Sequence, residues 1–251
     1  MKLSFYRIFL PACLVVSISF SAPITLNQNL ILNSGAEVGV GSSSGNDVET
    51  VPNWTTTGNF TVAIYGATAA PVAAPGPGFG MNFFSGGPGT DTLPGTPGGP
   101  TESDQATQFI DLSSIGTSID SGLLDYSMSG YFGGYLNQND NATMFVTFFN
   151  AADTAIGSSS TIGGFNATAR NGQSILLYDS SAALIPPGAR SAEITLVMTK
   201  VEGFYDDGYA DNLSFSVTNA PGTPAPEPSA WVLSGLGLAG LRLLARKTTK
   251  V

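Results

Sequence analysis

The chain of 251 residues contains no histidine and a single cysteine, Cys13. Without imidazole there is no Ser-His-Asp triad, no histidine-held metal and no histidine acid–base pair. The one thiol lies near the start, inside an apolar run. Everything after it lacks disulfides, thiol nucleophiles and cysteine metal sites. Bases are scarce as well. Of the 9 Lys and Arg, only Arg170, Arg190 and Lys200 fall between residues 22 and 224, against all of the 18 acids except Glu227, a net −14. Such a surface repels nucleic acid and anionic lipid. It is compatible with neutral glycans and divalent cations. Long apolar runs are missing too. Residues 8–20 and 230–245 both fall short of the about 20 residues of a comfortable membrane span.

What is present is clearest at the two ends. Lys2 and Arg7 precede the apolar run, and the small residues Ser19 and Ser21 stand two apart. A charged n-region, an apolar h-region and a small-x-small site define a secretory signal peptide. The expectation is a signal helix over residues 1–21, cut by signal peptidase after Ser21. A cut after Ala22 would set Phe20 and Pro23 where that enzyme handles them poorly. A lipoprotein signal would use Cys13, but the apolar run continues past it. At the other end, residues 220–228 form a Pro-rich linker that resists folding. Residues 229–251 then read as a single apolar helix with a basic end, which leaves the base inside the cell. Arg242 interrupts the apolar stretch close enough to the end to snorkel.

The order Pro226-Glu227-Pro228, apolar helix, basic end resembles the PEP-CTERM sorting signal of Gram-negative bacteria, over residues 225–251. The resemblance implies recognition of the tail by an exosortase-type membrane enzyme and its removal. It also implies an inner-membrane-anchored intermediate, followed by delivery to the cell surface or beyond. Arg242 departs mildly from the pattern.

The remaining residues, 22–219, suit one domain. Short apolar runs alternate with Gly, Asn, Ser and Pro turn signals, which is the all-β pattern. Strands are expected at 29–32, 60–65, 105–112, 123–132, 143–149, 193–199 and 213–217, with a helical turn or two at 113–120. Leu124, Tyr126 and Met128 form one inner row. Met144, Val146 and Phe148, then Ile194, Leu196 and Met198, then Leu213, Phe215 and Val217 form others. A period of two with one apolar face marks sheets packed face to face, so the fold expected is an antiparallel jelly-roll β-sandwich. Residues 66–104 read as a long Gly/Pro-rich loop, pinned only around residues 79–84.

Two stretches at opposite ends of this domain carry the most specific pattern. One is Asn29-Leu30-Ile31-Leu32-Asn33-Ser34-Gly35-Ala36-Glu37, the other Asp206-Asp207-Gly208-Tyr209-Ala210-Asp211-Asn212-Leu213-Ser214. They resemble the opening and closing motifs of galactose-binding-like jelly rolls, which include many carbohydrate-binding modules. Ser34 stands where Gly is usual. The resemblance implies that Glu37 and Asp211 meet and hold a structural calcium ion, chemistry that suits an acid-rich chain. The plainer alternative is that Asp206-Asp207-Gly208 is a turn and Asp211 a strand-start cap. Gly58-Asn59-Phe60-Thr61-Val62, Asn82-Phe83-Phe84-Ser85-Gly86-Gly87-Pro88 and Asp140-Asn141-Ala142 resemble a recurrent group of exported PEP-CTERM β-sandwich proteins. That likeness bears on fold and address, not on a reaction.

Aromatic and amide residues gather in residues 131–140. Sugar recognition sets aromatic faces against the C–H side of a ring, with amides and carboxylates on the hydroxyls. Tyr131, Tyr135, Gln138 and Asp140 are the candidate ligand residues, with core packing as the alternative for many aromatics. The acids could offer a glycosidase pair ~5–10 Å apart, but no spacing in the sequence brings two together. The leading expectation is therefore a non-catalytic exported surface or matrix protein that contacts exopolysaccharide through a calcium-stabilised jelly roll. The alternatives are a structural biofilm component without a sugar ligand, or a glycan hydrolase.

Overall fold

The computed structural model describes residues 23–89 and 102–221. The expected signal peptide, the sorting residues Pro226, Glu227 and Pro228, and the apolar tail lie outside the described residues. In chain order the strands are β1 (Thr55–Thr57), β2 (Thr61–Ile64), β3 (Asn82–Pro88), β4 (Glu102–Asp111), β5 (Leu124–Gly133), β6 (Asn141–Phe149), β7 (Ala155–Ser158), β8 (Ile162–Gly163), β9 (Leu176–Leu184), β10 (Ser191–Lys200) and β11 (Tyr205–Asn219). A 3-10 turn (Ser113–Ile115) and the short helix α1 (Gly116–Asp120) join β4 to β5.

The strands form two antiparallel sheets, ordered β1-β4-β10-β6-β7 (with β8 also on β6) and β2-β3-β11-β5-β9. Chain neighbours change sheet repeatedly, from β3 to β4 to β5 to β6 and again from β9 to β10 to β11. That wrapping is the jelly roll, as the alternating rows predict. The expected inner rows pack between the sheets as one core, together with Trp54, Phe60 and Phe84. Trp54 meets Phe84 edge-on at 5.6 Å, and Tyr126, Phe148 and Phe215 form a second aromatic knot with Tyr126 and Phe148 at 5.4 Å. The helical turns at 113–120 are also as expected.

The structure corrects three expectations. Residues 29–32 are not a strand. They run beside β11 through scattered bonds, Leu30 N–H to Phe215 O at 2.8 Å and Asn29 Nδ2 to Leu213 O at 2.9 Å. The long loop at 66–104 is broken by β3, a central strand. Asp206-Asp207-Gly208 is not a turn but the start of β11, which is fifteen residues long.

Burial also extends beyond the inter-sheet core. The outer face of the five-stranded sheet carries a second cluster. Ala67, Ala70 and Val72 of the loop after β2 lie on Phe83, Tyr209 and Leu176. The loop thus covers one half of that face and leaves the other half open.

Candidate functional site

Strand register orders the side chains of this outer face. Ala63 pairs with Phe83 and Asp211 with Tyr131, while Tyr131 pairs with Tyr178. Phe84 pairs with Ala210, so one step along Phe83 faces Asp211. One row therefore crosses the sheet as Ala63, Phe83, Asp211, Tyr131, Tyr178. The next row is Ser214, Ser129, Ser180, and beyond it lie Ser216, Ser127 and Ala182. The pleat, with the register shift between Asp211 and Ser214, puts all of these side chains on one face. Phe79, from the covering loop, meets Tyr131 edge-on at 4.7 Å, and Tyr131 meets Tyr178 at 5.3 Å and 62°. Tyr178 is 56% exposed. The result is an aromatic step beside a shelf of serine hydroxyls.

The expected ligand residues divide. Tyr131 is in this row, half-buried. Tyr135 is half-buried against the Phe83–Tyr209 cluster. Gln138 is half-buried, and its Oε1 has no hydrogen-bond partner. Asp140 is a correction, because it is fully enclosed. Its carboxylate accepts the N–H groups of Val201 (2.7 Å), Glu202 (2.8 Å) and Asp207 (3.2 Å), tying the β10–β11 turn. It cannot touch a ligand. Tyr178 and Phe79 were not among the expected residues. Tyr178 sits in an edge strand with no clean alternation, so pattern alone does not mark it.

Glu37 and Asp211 do come together, around Gly35. A Cβ there would lie 3.2 Å from Asn212 Oδ1, 3.5 Å from Asp211 Oδ1 and 3.9 Å from Glu37 Cγ. The opening and closing motifs also meet directly, with Leu213 N–H donating to Ser34 O at 2.9 Å. Tyr65 Oη donates to Asp211 Oδ2 at 2.6 Å, and Glu37 Oε1 accepts the N–H groups of Met81 and Asn82 at 3.0 and 2.8 Å. Burial, then the Glu37 charge, raise the Asp211 carboxyl to about 7, although the Tyr65 and Asn212 bonds work against the shift. Burial and Asp211 likewise drive the Tyr65 phenol upward, so it stays protonated. Asp211 Oδ1 and Asn212 Oδ1 thus lie beside Gly35, with the Glu37 side chain close enough for its charge to act on the Asp211 carboxyl.

The end of the sandwich beyond β10 holds a buried polar network that the sequence did not announce. Arg170 is fully buried. Its Nε donates to Phe165 O (3.1 Å). Its Nη1 donates to Leu136 O (3.1 Å) and Gln173 O (2.8 Å), and its Nη2 to Gln138 O (2.6 Å) and Asp140 O (3.4 Å). All five donors of the guanidinium fork are used. Desolvation still pulls its pKa below the usual arginine value. Nearby, Asp206 and Asp207 are buried. Burial is the main cause that lifts Asp206 to about 9, with the charges of Asp104 and Asp140 adding to it. Burial also lifts Asp207 to about 7, opposed by the Tyr209 hydroxyl, which donates to Asp207 Oδ1. Gly86 is required here. A Cβ would sit 2.2 Å from Asp206 Cγ.

With the geometry in view, comparison with known proteins adds an address. A family model, the PEP-CTERM protein-sorting motif, matches residues 224–247. The chain carries a PEP-CTERM sorting motif. The motif marks an exported protein sorted through the membrane by an exosortase. No curated protein sequence matches the chain. Among solved structures, the enzymatically active domain of bacteriophage CBA120 tailspike protein 4 is 17% identical over 75% of this chain, with a TM-score of 0.40. This chain spans 21% of that one. TmCBM61, in complex with β-1,4-galactotriose, is 13% identical over 77% of this chain and 99% of its own, with a TM-score of 0.39. The C-terminal family 22 carbohydrate-binding module of Clostridium thermocellum Xyn10B is 13% identical over 76% and 98%, with a TM-score of 0.38. Among the described residues, no helix is long and apolar enough to cross a membrane.

Proposed function

We propose that this exported PEP-CTERM protein is a non-catalytic glycan-binding protein of the Gram-negative cell surface or extracellular matrix. In this reading, the outer face of the five-stranded sheet binds a neutral polysaccharide. The observation that carries the reading is the row ending in Tyr131 and exposed Tyr178 beside Ser129, Ser180 and Ser214. Aromatic faces suit the C–H side of a pyranose, and hydroxyls suit its rim. The acidic surface favours neutral chains over anionic ones. Asp104, Asp140, Asp206, Asp207 and Asp211 are all at most 7% exposed, so these five do not reach a glycosidic oxygen. The test is a neutral-glycan array probed with calcium present. Tyr178→Ala should weaken the best signal by at least about tenfold, or ~1.4 kcal/mol. An empty array, or binding indifferent to Tyr178→Ala, would sink the reading.

Calcium at Glu37 and Asp211 belongs to the same proposal, as a structural clasp between the first and last segments of the domain. A cation there would hold Asp211 ionised and offset its repulsion from Glu37. Saturating calcium, at about a hundred times its dissociation constant, adds ~2.7 kcal/mol to the folded state. For a domain of this size that raises the midpoint by roughly 5–10 °C. The melt with calcium should exceed the melt with EDTA by that margin, and Asp211→Ala should abolish the difference. Equal midpoints in the unaltered protein would remove the clasp.

A further inference from the structure

The two sheets present four edges, and among the described residues three of them are short or closed. β1 has three residues and β7 has four, the latter with a register irregularity against β6. The edge of β2 is taken by Ser42, whose N–H donates to Val62 O at 2.8 Å and whose O accepts from Ile64 N–H at 3.0 Å. These are the usual ways of protecting an edge. β9 has none of them. It is nine residues long and meets β5 in nine unbroken pairs. It has no Pro, Lys or Arg. Tyr178, Ser180, Ala182, Ala183 and Leu184 are exposed along it.

Hydrogen-bond parity shows what this edge offers. Ile185 N–H donates to Leu124 O at 3.1 Å, which makes 185 and 124 a bonded pair. In an antiparallel ladder, bonded pairs alternate. Residues 177, 179, 181 and 183 therefore turn their backbone groups to β5. Leu176, Tyr178, Ser180, Ala182 and Leu184 turn theirs outward. Among these the Ser180 N–H is already taken, donating to the carboxylate of Asp179 at 2.8 Å.

We infer that β9 is a self-association edge, and that its occupant is β9 of a second copy, antiparallel about a two-fold axis at Ser180. Ser180 is the midpoint of the strand, so this register overlaps all of it. Leu176 faces Leu184 of the second copy, and Tyr178 faces its Ala182. With the Ser180 N–H held by Asp179, the four flanking outward pairs, exchanging two bonds each, give roughly eight backbone hydrogen bonds. Charge selects the same edge. Two domains of net −14 repel over most of their surface. The only acid in β9 is Asp179, and its carboxylate is engaged by the Gly163 N–H at 2.9 Å. The two-fold register sets each Asp179 opposite Ser181 of the second copy, not against another acid. The dimer would fuse two five-stranded sheets edge to edge and align two Tyr131–Tyr178 steps on one continuous face. The inference needs no glycan and stands or falls apart from the proposed function.

Sedimentation velocity of the full-length chain in non-ionic detergent, over a range of protein concentrations, tests it. The unaltered chain should be a dimer that dissociates on dilution. Ala182→Pro removes an N–H that points away from β5, so it breaks no bond within the sheet. It should weaken the dimer by at least about tenfold, ~1.4 kcal/mol, with the melting midpoint of the dilute monomer retained. Leu184→Lys should act the same way and serves if the Pro variant does not fold. Amide exchange at Tyr178, Ala182 and Leu184 should slow as the unaltered protein is concentrated. A chain that stays monomeric throughout overturns the inference, as does a dimer that both substitutions leave intact.

Discussion

Arg170→Ala is expected to lower the melting midpoint by roughly 10 °C or more, the largest effect of any single polar substitution in the domain. The side chain is fully buried and its guanidinium feeds five backbone carbonyls, of Phe165, Leu136, Gln173, Gln138 and Asp140. Truncation leaves those carbonyls without partners in a place water does not fill well. Losing one member of a buried charged network costs about 3–5 kcal/mol. At about 2–4 °C per kcal/mol for a domain of this length, the shift follows. The loss should be local before it is global. Residues 134–140 and 165–173 are two irregular segments joined mainly through this fork, so their amides should exchange faster than those of β6 or β10.

Arg170→Lys separates the geometric argument from a simple need for charge. An ammonium keeps the charge but is a compact point with three donors, whereas the five carbonyls surround a planar fork. The Lys variant should recover little of the lost stability. Full stability in Arg170→Lys, read as a midpoint equal to that of the unaltered protein, would show that charge near Asp140 and Asp207 is what matters and not the fork.

Arg170 also shows where sequence reading stops. One arginine in a run of Asn, Ala, Thr and Gly reads as a solvated surface charge, because the carbonyls it serves belong to segments thirty residues apart. The inner rows were legible for the opposite reason. Met144, Val146 and Phe148 alternate with Thr143, Phe145 and Thr147, and one buried face is enough to write the period of two. β3 escaped because both of its faces are covered, one by the core and one by the loop after β2. Asn82-Phe83-Phe84-Ser85 therefore has no alternation to see. β9 escaped because it is an edge, where exposure relaxes the pattern. The pairing of Glu37 with Asp211 was expected from the resemblance of the end motifs, and the two residues do flank Gly35. Asp140 shared the composition of a ligand residue with its neighbours. Only the fold reveals that backbone N–H groups surround it.

The buried acids should invert the usual pH dependence of stability. Most proteins lose stability in acid because paired carboxylates must take up protons. Here Asp207 and Asp211 are raised to about 7 and Asp206 to about 9, against about 3.9 in the unfolded chain. The folded state therefore binds more protons than the unfolded state between pH 4 and pH 9. Stability from such groups is fully present below the unfolded pKa. It is lost as pH rises through the folded values. With EDTA present, the midpoint should be highest in mild acid and fall by roughly 5–15 °C between pH 6 and pH 9. Asp206 should dominate the upper part of the fall. Its Oδ1 accepts the Gly208 N–H at 3.0 Å, and both the charge of Asp104 and a side-chain hydrogen bond with it favour the protonated form. Asp206→Asn replaces the protonated acid by a neutral group of the same shape, whose amide can donate toward Asp104. The variant should match the unaltered protein at pH 5 and exceed it at pH 9, flattening the curve above pH 8. A midpoint that stays level or climbs from pH 6 to pH 9, or an Asp206→Asn variant less stable at pH 9, would mean that these carboxylates are ionised in the fold and balanced by groups other than their own protons.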